Sequence, residues 1–387
     1  MSLETLRVLN VNDTLDLKMG GGAAERTFQM SRFLAKLQGV QCTVLALDTE
    51  VTAALEQSYA PATTVTVPCL WRRFYVPRSG WGTINHLVKN ADIVHLMGHW
   101  SILNLLVYAA ARRQKKPYVI CPAGALPIFG RSVRLKQLFN FLAGIRVVRN
   151  AAGKIAVTAG ELPQFESYGI PASKVRVIPN GVAEEDFQVS DKQSFLDRHN
   201  LPDVPMVLFM GRLNPIKGPD LLLQAFIQAR HHFPDFHLVF AGPDGGMLSE
   251  LIQISERAGI SSHVHFLGYV SGNDKSAAYR SAKLLVVPSR QEAMSIVALE
   301  AGICSTPVLL TDQCGFSDIR SVDPRWEVPA TADGIAQGLS ALLTDPKVLT
   351  DVAPAWRDFV ARRYAWDSIV LEYIDFYKQL VKAPNAI

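Results

Sequence analysis

The stretch PSRQEAMSIVALEAGICSTPVLL, residues 288–310, decides the fold class. Just before it, Lys283-Leu284-Leu285-Val286-Val287 is a short β-rich apolar run, a strand ended by Pro288 and Ser289. Met294, Ile296, Val297, Leu299, Ala301 and Ile303 follow at the spacing of a buried helix over 293–302. Pro307 then leads into Val308-Leu309-Leu310, the next strand. Strand, loop, helix, strand is the unit of a parallel α/β sheet. Glu292 falls in the loop and Glu300 two turns inside the helix, separated by seven residues. The amides of Met294, Ser295, Ile296 and Val297 are expected to be the unpaired donors of a helix N-terminus, which suits a diphosphate. A carboxylate that close would repel phosphate, so Glu292 and Glu300 suit sugar and ribose hydroxyls; alternatively they are one surface and one helix-face carboxylate.

Working outward, Val204 to Met210 begins the same βα series. Gly211-Arg212-Leu213-Asn214-Pro215-Ile216-Lys217-Gly218 is the loop at that strand's end, before a helix over 219–231. Arg212 and Lys217 suit a diphosphate, since Arg grips two oxygens and Lys supplies a point charge; alternatively they are ordinary surface cations. The acidic stretch 183–203 reads as a linker, and Pro179-Asn180-Gly181-Val182 as the turn out of a first domain.

That first domain opens on the strand Leu6 to Val11 and a loop ending Met19-Gly20-Gly21-Gly22-Ala23-Ala24-Glu25-Arg26. A helix with Phe28, Met30, Phe33, Leu34 and Leu37 follows. Strand, glycine loop, helix allows close approach to a ligand at Gly21 and Gly22, or is simply a flexible loop. It is not a dinucleotide fingerprint, because Glu25 stands where the third glycine belongs. Further strands at 93–97 and 118–121 end in Gly98-His99-Trp100 and Pro122-Ala123-Gly124. Ligand sites lie beyond the C-terminal ends of such strands. His99 is therefore a candidate for substrate contact, or an aromatic-flanked structural histidine, and His95 a core one.

At 387 residues the chain predicts two domains, and with 49% apolar and 19% charged residues, a globular protein. No apolar run reaches the length of a membrane span, and Glu4 and Arg7 near the start predict no signal peptide. Five scattered cysteines without a CxxC pair predict free thiols in a reducing cytoplasm and no zinc site. Residues 1–180 hold 21 Lys and Arg against 10 Asp and Glu, a balance of +11; residues 181–387 hold 18 against 25, or −7. The basic half favours an anionic partner such as a membrane surface or lipid phosphate. Nucleic acid is not expected, because no recognised binding motif accompanies the charge. Arg131 to Asn150 alternates Arg131, Arg134, Lys136, Arg146 and Arg149 with Leu135, Leu138, Phe139, Phe141, Leu142 and Ile145. It could lie on a membrane, or be the solvated face of a core-packing helix. Trp71-Arg72-Arg73-Phe74-Tyr75 with Trp81 is a second basic–aromatic patch.

GGGAAE at 20–25, PNGV at 179–182, GRLNPIKG at 211–218, Glu292-x7-Glu300 with TPV at 306–308, and the C-terminal RRYAWDSIVLEYIDFYKQL occur in order. Together they resemble the retaining glycosyltransferases of family four. The resemblance implies a GT-B fold: two Rossmann-like, doubly wound parallel-sheet domains facing a cleft. Residues 1–182 would bind the acceptor and 183–363 a nucleotide-sugar donor, with a helix in 364–387 packing back on the first domain. It further implies that Arg212 and Lys217 bind the diphosphate and Glu292 the donor sugar. Glu300 would bind the ribose, the amides of 294–297 the phosphates, and Gly21 and Gly22 would close over the reaction centre. Neither metal nor other cofactor is expected, because Arg, Lys and the helix dipole would replace a metal. The expected function is hexosyl transfer with retention, from a UDP- or GDP-sugar to a glycan or lipid-linked acceptor. It is placed in surface polysaccharide synthesis, in the cytoplasm or at the inner membrane face. A non-catalytic nucleotide-sugar-binding protein and a GT-B epimerase are the alternatives. Two departures stand out: Ala293-Met294-Ser295 replaces Gly-Phe-Gly, and Ala123 stands where many members carry histidine. His99 is the candidate to substitute for it.

Overall fold

A computed structural model describes residues 5–128, 132–188 and 191–382. Arg131 lies outside the described residues. The chain forms two compact units: residues 1–180 with 366–387, and residues 181–365.

The sheet of the first unit is built from β1 (Leu6–Val11), β2 (Val40–Leu47), β3 (Thr63–Val67), β6 (Ile93–Met97), β7 (Tyr118–Cys121), β8 (Gly153–Ala156) and β9 (Arg176–Val177). Its order is β3-β2-β1-β6-β7-β8-β9, with every pair parallel. A small antiparallel hairpin, β4 (Cys69–Trp71) with β5 (Val76–Pro77), follows β3. The central strands are nearly continuous runs of Val, Leu and Ile because helices cover both faces. Leu45, Val94, Leu96, Val107, Ile120 and Phe165 all lie in the core. The order reverses between β1 and β6, and in such sheets the ligand crevice opens beyond the strand ends at that point.

The sheet of the second unit holds β10 (Met206–Met210), β11 (His237–Ala241), β12 (Val264–Gly268), β13 (Leu284–Val287), β14 (Val308–Thr311) and β15 (Glu327–Val328). Its order is β12-β11-β10-β13-β14-β15, again parallel throughout. Here the reversal lies between β10 and β13. Their C-terminal loops are 211–218 and 288–295, the two segments that carry Arg212, Lys217 and Glu292.

Three expectations are corrected. The triple glycine is not in a loop: Leu17–Lys36 is one helix, capped by Asp16, whose side chain accepts from the Lys18 and Met19 amides. The helix is broken at Gly21, whose φ of 57° and ψ of −144° only glycine adopts cheaply. The acidic stretch 183–203 is not a linker. It forms a 3-10 turn, Glu184–Phe187, and a helix, Lys192–Arg198, that pack on the helix Gly272–Ser281. Phe187, Phe195 and Leu196 are buried there. Burying a side chain of that size stabilises by about 1.5–3 kcal/mol, which outweighs the polar composition around it. The third correction is short: the helix predicted to start at Ala293 begins at Ile296.

Chain return to the first unit depends on the helix Trp366–Lys382. Phe33 stacks on Trp366 with centroids 6.4 Å apart, and His95 Nδ1 meets the Tyr377 hydroxyl at 2.5 Å. Arg26 is fully enclosed. Its guanidinium donates to the Asn180 side-chain oxygen, to the Ile178 carbonyl at 2.9 Å, and to the Tyr373 hydroxyl.

Candidate functional site

In the second unit, the loop 211–218 and the loop 288–295 are locked together. Gly218 caps the helix Pro219–Ala229 at φ 68°, and a Cβ there would lie 2.1 Å from the Pro288 carbonyl oxygen. The Arg290 amide donates to the Ile216 carbonyl at 2.8 Å. The Arg290 guanidinium grips both oxygens of Asp220, at 2.6 and 2.8 Å, and reaches the Pro215 carbonyl at 2.7 Å. Such a bidentate pair fixes geometry as well as charge.

Within this frame Lys217 and Glu292 meet, Nζ of the lysine donating to Oε1 of the glutamate. The Lys217 amide is held by Asn214 Oδ1 at 3.0 Å. The Glu292 amide donates to the Gln313 carbonyl at 2.9 Å. Glu292 Oε2 is buried without a hydrogen-bond partner, and so is the hydroxyl of Ser289 three residues earlier. Buried polar atoms are ordinarily paired, so two orphans in one loop mark a place that a polar ligand would complete. Arg212 shares the loop with Lys217 and lies next to Leu213, which bridges Asp244 beyond β11. Ser295 caps the helix Ile296–Ile303, its hydroxyl accepting from Ala298 at 3.4 Å. The amides of Ser295, Ile296 and Val297 therefore have no partner inside the helix. Met294 precedes the cap and is buried.

Glu300 does not stand open as expected for a ribose contact. It is 3% exposed, with Oε1 taking Lys275 Nζ at 2.5 Å and Oε2 the Tyr279 hydroxyl at 2.6 Å. The carboxylate is satisfied from within its own unit by the neighbouring helix Gly272–Ser281.

The remaining candidates belong to the first unit. Gly21 is the helix break described above, and Gly22 beside it is exposed. His99, the other candidate, is buried, and its Nδ1 has no hydrogen-bond partner. Only 3% exposed, it donates from Nε2 to Asn140 Oδ1 at 2.8 Å and sits against the rings of Trp100, Phe139 and Tyr168. Burial pulls its pKa down to about 4, so the imidazole is neutral. Asn140 in turn donates to the Tyr168 hydroxyl at 2.6 Å, which donates to the Leu126 carbonyl at 2.9 Å. His95 is a buried core residue, as read from the sequence.

Asp13 is a residue that sequence reading missed. It leaves the end of β1 and accepts from the Ser101 hydroxyl, after β6, at 2.5 Å. Burial pushes its carboxyl up to about 6. Its position directly after the first strand, at the switch point, was the available signal. Ser289 and the Arg290–Asp220 pair were also missed.

Comparison with known proteins follows this division of the chain. The family Glycosyltransferase Family 4 matches residues 20–186, and Glycosyl transferases group 1 matches residues 191–358. A D-inositol 3-phosphate glycosyltransferase of Frankia alni is 30% identical over 293 residues, covering 70% of this chain and 68% of that protein. The chain belongs to the group 1 glycosyltransferases. An uncharacterized glycosyltransferase of Methanocaldococcus jannaschii is 34% identical over 220 residues, 54% of this chain and 55% of its own length. The chain thus spans little more than half the length of several curated relatives it matches. Among solved structures, this group 1 glycosyltransferase is similar in fold to Anabaena HepE in complex with UDP and glucose. The TM-score is 0.79 at 17% identity, over 96% of this chain and 99% of that one. Both units are therefore those of the GT-B fold.

Proposed function

We infer that the chain is a retaining hexosyltransferase that needs no metal. Its donor is a UDP- or GDP-sugar and its acceptor a glycan or lipid-linked glycan of surface polysaccharide synthesis. The observation that carries this reading is the Lys217–Glu292 pair at the switch point of the second unit, with a partnerless carboxylate oxygen beside a helix N-terminus. HepE was solved with UDP and glucose, which supports a nucleotide-sugar donor.

The chemistry follows from the residue types. The diphosphate takes the positive charge of Arg212 and Lys217 and the amides of residues 295–297. Lys217 turns from Glu292 to the phosphate, and Glu292 takes a hydroxyl of the donor sugar. Glu300 exchanges Lys275 for a ribose hydroxyl. As the anomeric carbon–oxygen bond breaks, negative charge grows on the leaving diphosphate, where fixed cations and dipoles stabilise it most. A phosphate oxygen of the leaving group accepts the proton of the acceptor hydroxyl, which attacks from the same face, so configuration is retained. The first unit, with its balance of +11 over residues 1–180, suits an acceptor that carries phosphate. Its seat is the cytoplasm, where the free cysteines stay reduced.

The test is a metal-free thermal-shift panel of UDP-, GDP-, ADP- and TDP-sugars on wild type and Lys217→Ala. A ligand that binds only the folded chain raises the melting temperature with concentration. A shift with a UDP- or GDP-sugar, lost in the variant, supports the reading. No shift with any donor overturns it.

A further inference from the structure

The loop that carries Lys217 is held in two different ways. Its first half is bonded to the loop after β11. The Leu213 amide donates to the Pro243 carbonyl at 3.0 Å, the Gly245 amide donates back to the Leu213 carbonyl at 3.0 Å, and the Leu213 side chain is buried. The tip, Pro215-Ile216, has both side chains exposed, so packing does not anchor it. Its carbonyls are held instead. That of Pro215 accepts from the Arg290 guanidinium at 2.7 Å, and that of Ile216 from the Arg290 amide at 2.8 Å. Lys217 is the next residue. One arginine on loop 288–295 thus takes the two carbonyls that immediately precede the lysine.

Arg290 is itself anchored to the core. Its guanidinium holds both oxygens of Asp220, at 2.8 and 2.6 Å. Asp220 stands in the first turn of the helix Pro219–Ala229, where the helix dipole favours a carboxylate. That helix is seated by Leu222, Leu223 and Phe226, all fully buried. A planar fork on a carboxylate has a fixed orientation, which a rotating ammonium lacks. The chain of contacts therefore runs from a core helix through Asp220 and Arg290 to the loop tip and Lys217.

Arg290 also lies two residues before Glu292, the carboxylate that takes the Lys217 ammonium. It is therefore tied to both loops that carry the pair. A cation near a diphosphate site has two ways to act, through its charge or through the position it imposes. The charge of Arg290 is already matched by Asp220, and its guanidinium is committed to that carboxylate and to the Pro215 carbonyl. What it has left to contribute is position.

We propose that Arg290 is a positioning residue for donor binding: it touches no substrate and sets where Lys217 stands. This rests on the donor-site reading above. The first test needs no ligand. The amides of Lys217 and Gly218 are both bonded to Asn214, so their hydrogen exchange reports opening of the loop tip. Arg290→Ala is expected to speed exchange at these two amides by about tenfold and to leave Leu222, Leu223 and Phe226 unchanged. Unchanged exchange at 217 and 218 overturns the proposal. The second test is metal-free calorimetric titration of the full chain with UDP and with GDP. Arg290→Ala is expected to weaken binding by about tenfold. Arg290→Lys keeps the charge and loses the fork, so it weakens binding as much. Full affinity in Arg290→Lys assigns the effect to charge and overturns the proposal. Asp220→Asn reaches the same clamp from its anchored side and is expected to cost about threefold, which covers an Arg290→Ala chain that fails to fold. On a Lys217→Ala background, Arg290→Ala is expected to change affinity by less than about twofold, because the residue through which it acts is gone. The full tenfold loss on that background overturns the proposal. A wild type that binds neither nucleotide overturns the donor-site reading and this inference with it. Nucleotide binding that the Arg290 variants retain overturns this inference alone.

Discussion

Lys217 and Glu292 neutralise each other across two loops, so removing either one strands a charge. Lys217→Ala is expected to lower kcat/KM by about 10²–10³, the usual loss for one donor to a developing negative charge. The melting temperature should also fall, by the equivalent of about 1–3 kcal/mol, because the Glu292 carboxylate left unpaired is only 13% exposed. Steady-state kinetics with a calorimetric scan of the same variant check this; a normal kcat/KM would remove Lys217 from the donor site. Glu300→Gln differs in kind. It weakens two charge-assisted bonds in a buried site, so about 1–3 kcal/mol of stability should be lost, measured by urea unfolding. The histidines give a pH signature. Burial holds His95 near 3, and His99 and His237 near 4, all below the usual imidazole value. The unfolded chain then binds more protons than the folded one below the ordinary imidazole pKa of about 6.5. The histidine contribution to stability is thus complete above that pH and falls away as the pH drops from there toward 4. Unfolding free energies measured at the two ends of this window should differ by less in His99→Gln than in wild type.

At the scale of the element, two glycines make opposite predictions from one cause. Both have positive φ, yet a Cβ on Gly21 meets nothing within 4 Å, while one on Gly218 lies 2.1 Å from a carbonyl oxygen. Gly21→Ala is therefore expected to cost only backbone strain, about 1–3 kcal/mol. Gly218→Ala carries that strain and also pushes loop 211–218 off Pro288. It should lose donor-induced thermal shift along with stability, whereas Gly21→Ala keeps the shift. The same elements show what the sequence could tell. Strands β10, β13 and β14 were legible because they are apolar runs closed by Gly, Pro or polar residues. The break at Gly21 was not, since a glycine triplet has the same composition in a loop and in a kinked helix. The packing of 183–203 was hidden by its acidic residues, because three buried apolar side chains decide it and their partners lie some 80 residues away. His99 could not be resolved at all from sequence. Its exposure depends on Asn140 and Tyr168, which only the fold brings to it. Glu300 was placed correctly on its helix, but its partners Lys275 and Tyr279 come from another helix.

At the scale of the molecule, each unit has its own parallel sheet and core, and Arg26 belongs wholly to the first. Its three bonds tie the helix Leu17–Lys36 to residues 178–180, where the chain leaves the unit, and to Tyr373, after it returns. Arg26→Leu would leave those oxygens without their donor at a cost of about 2–4 kcal/mol. Differential scanning calorimetry is expected to show one of two transitions moving to lower temperature and the other staying in place. A uniform shift of both would mean the units do not unfold separately.

The ownership of the helix Trp366–Lys382 also sets an order in time. All of residues 181–365 leave the ribosome before Trp366–Lys382 does, so the chain of the second unit is complete while the first still lacks the helix that covers Arg26 and His95. The part of the chain made first is therefore completed last. Until Tyr373 and Tyr377 emerge, the nascent first unit must hold a buried cation without one of its partners, and that interval is when it depends most on whatever guards it in the cell.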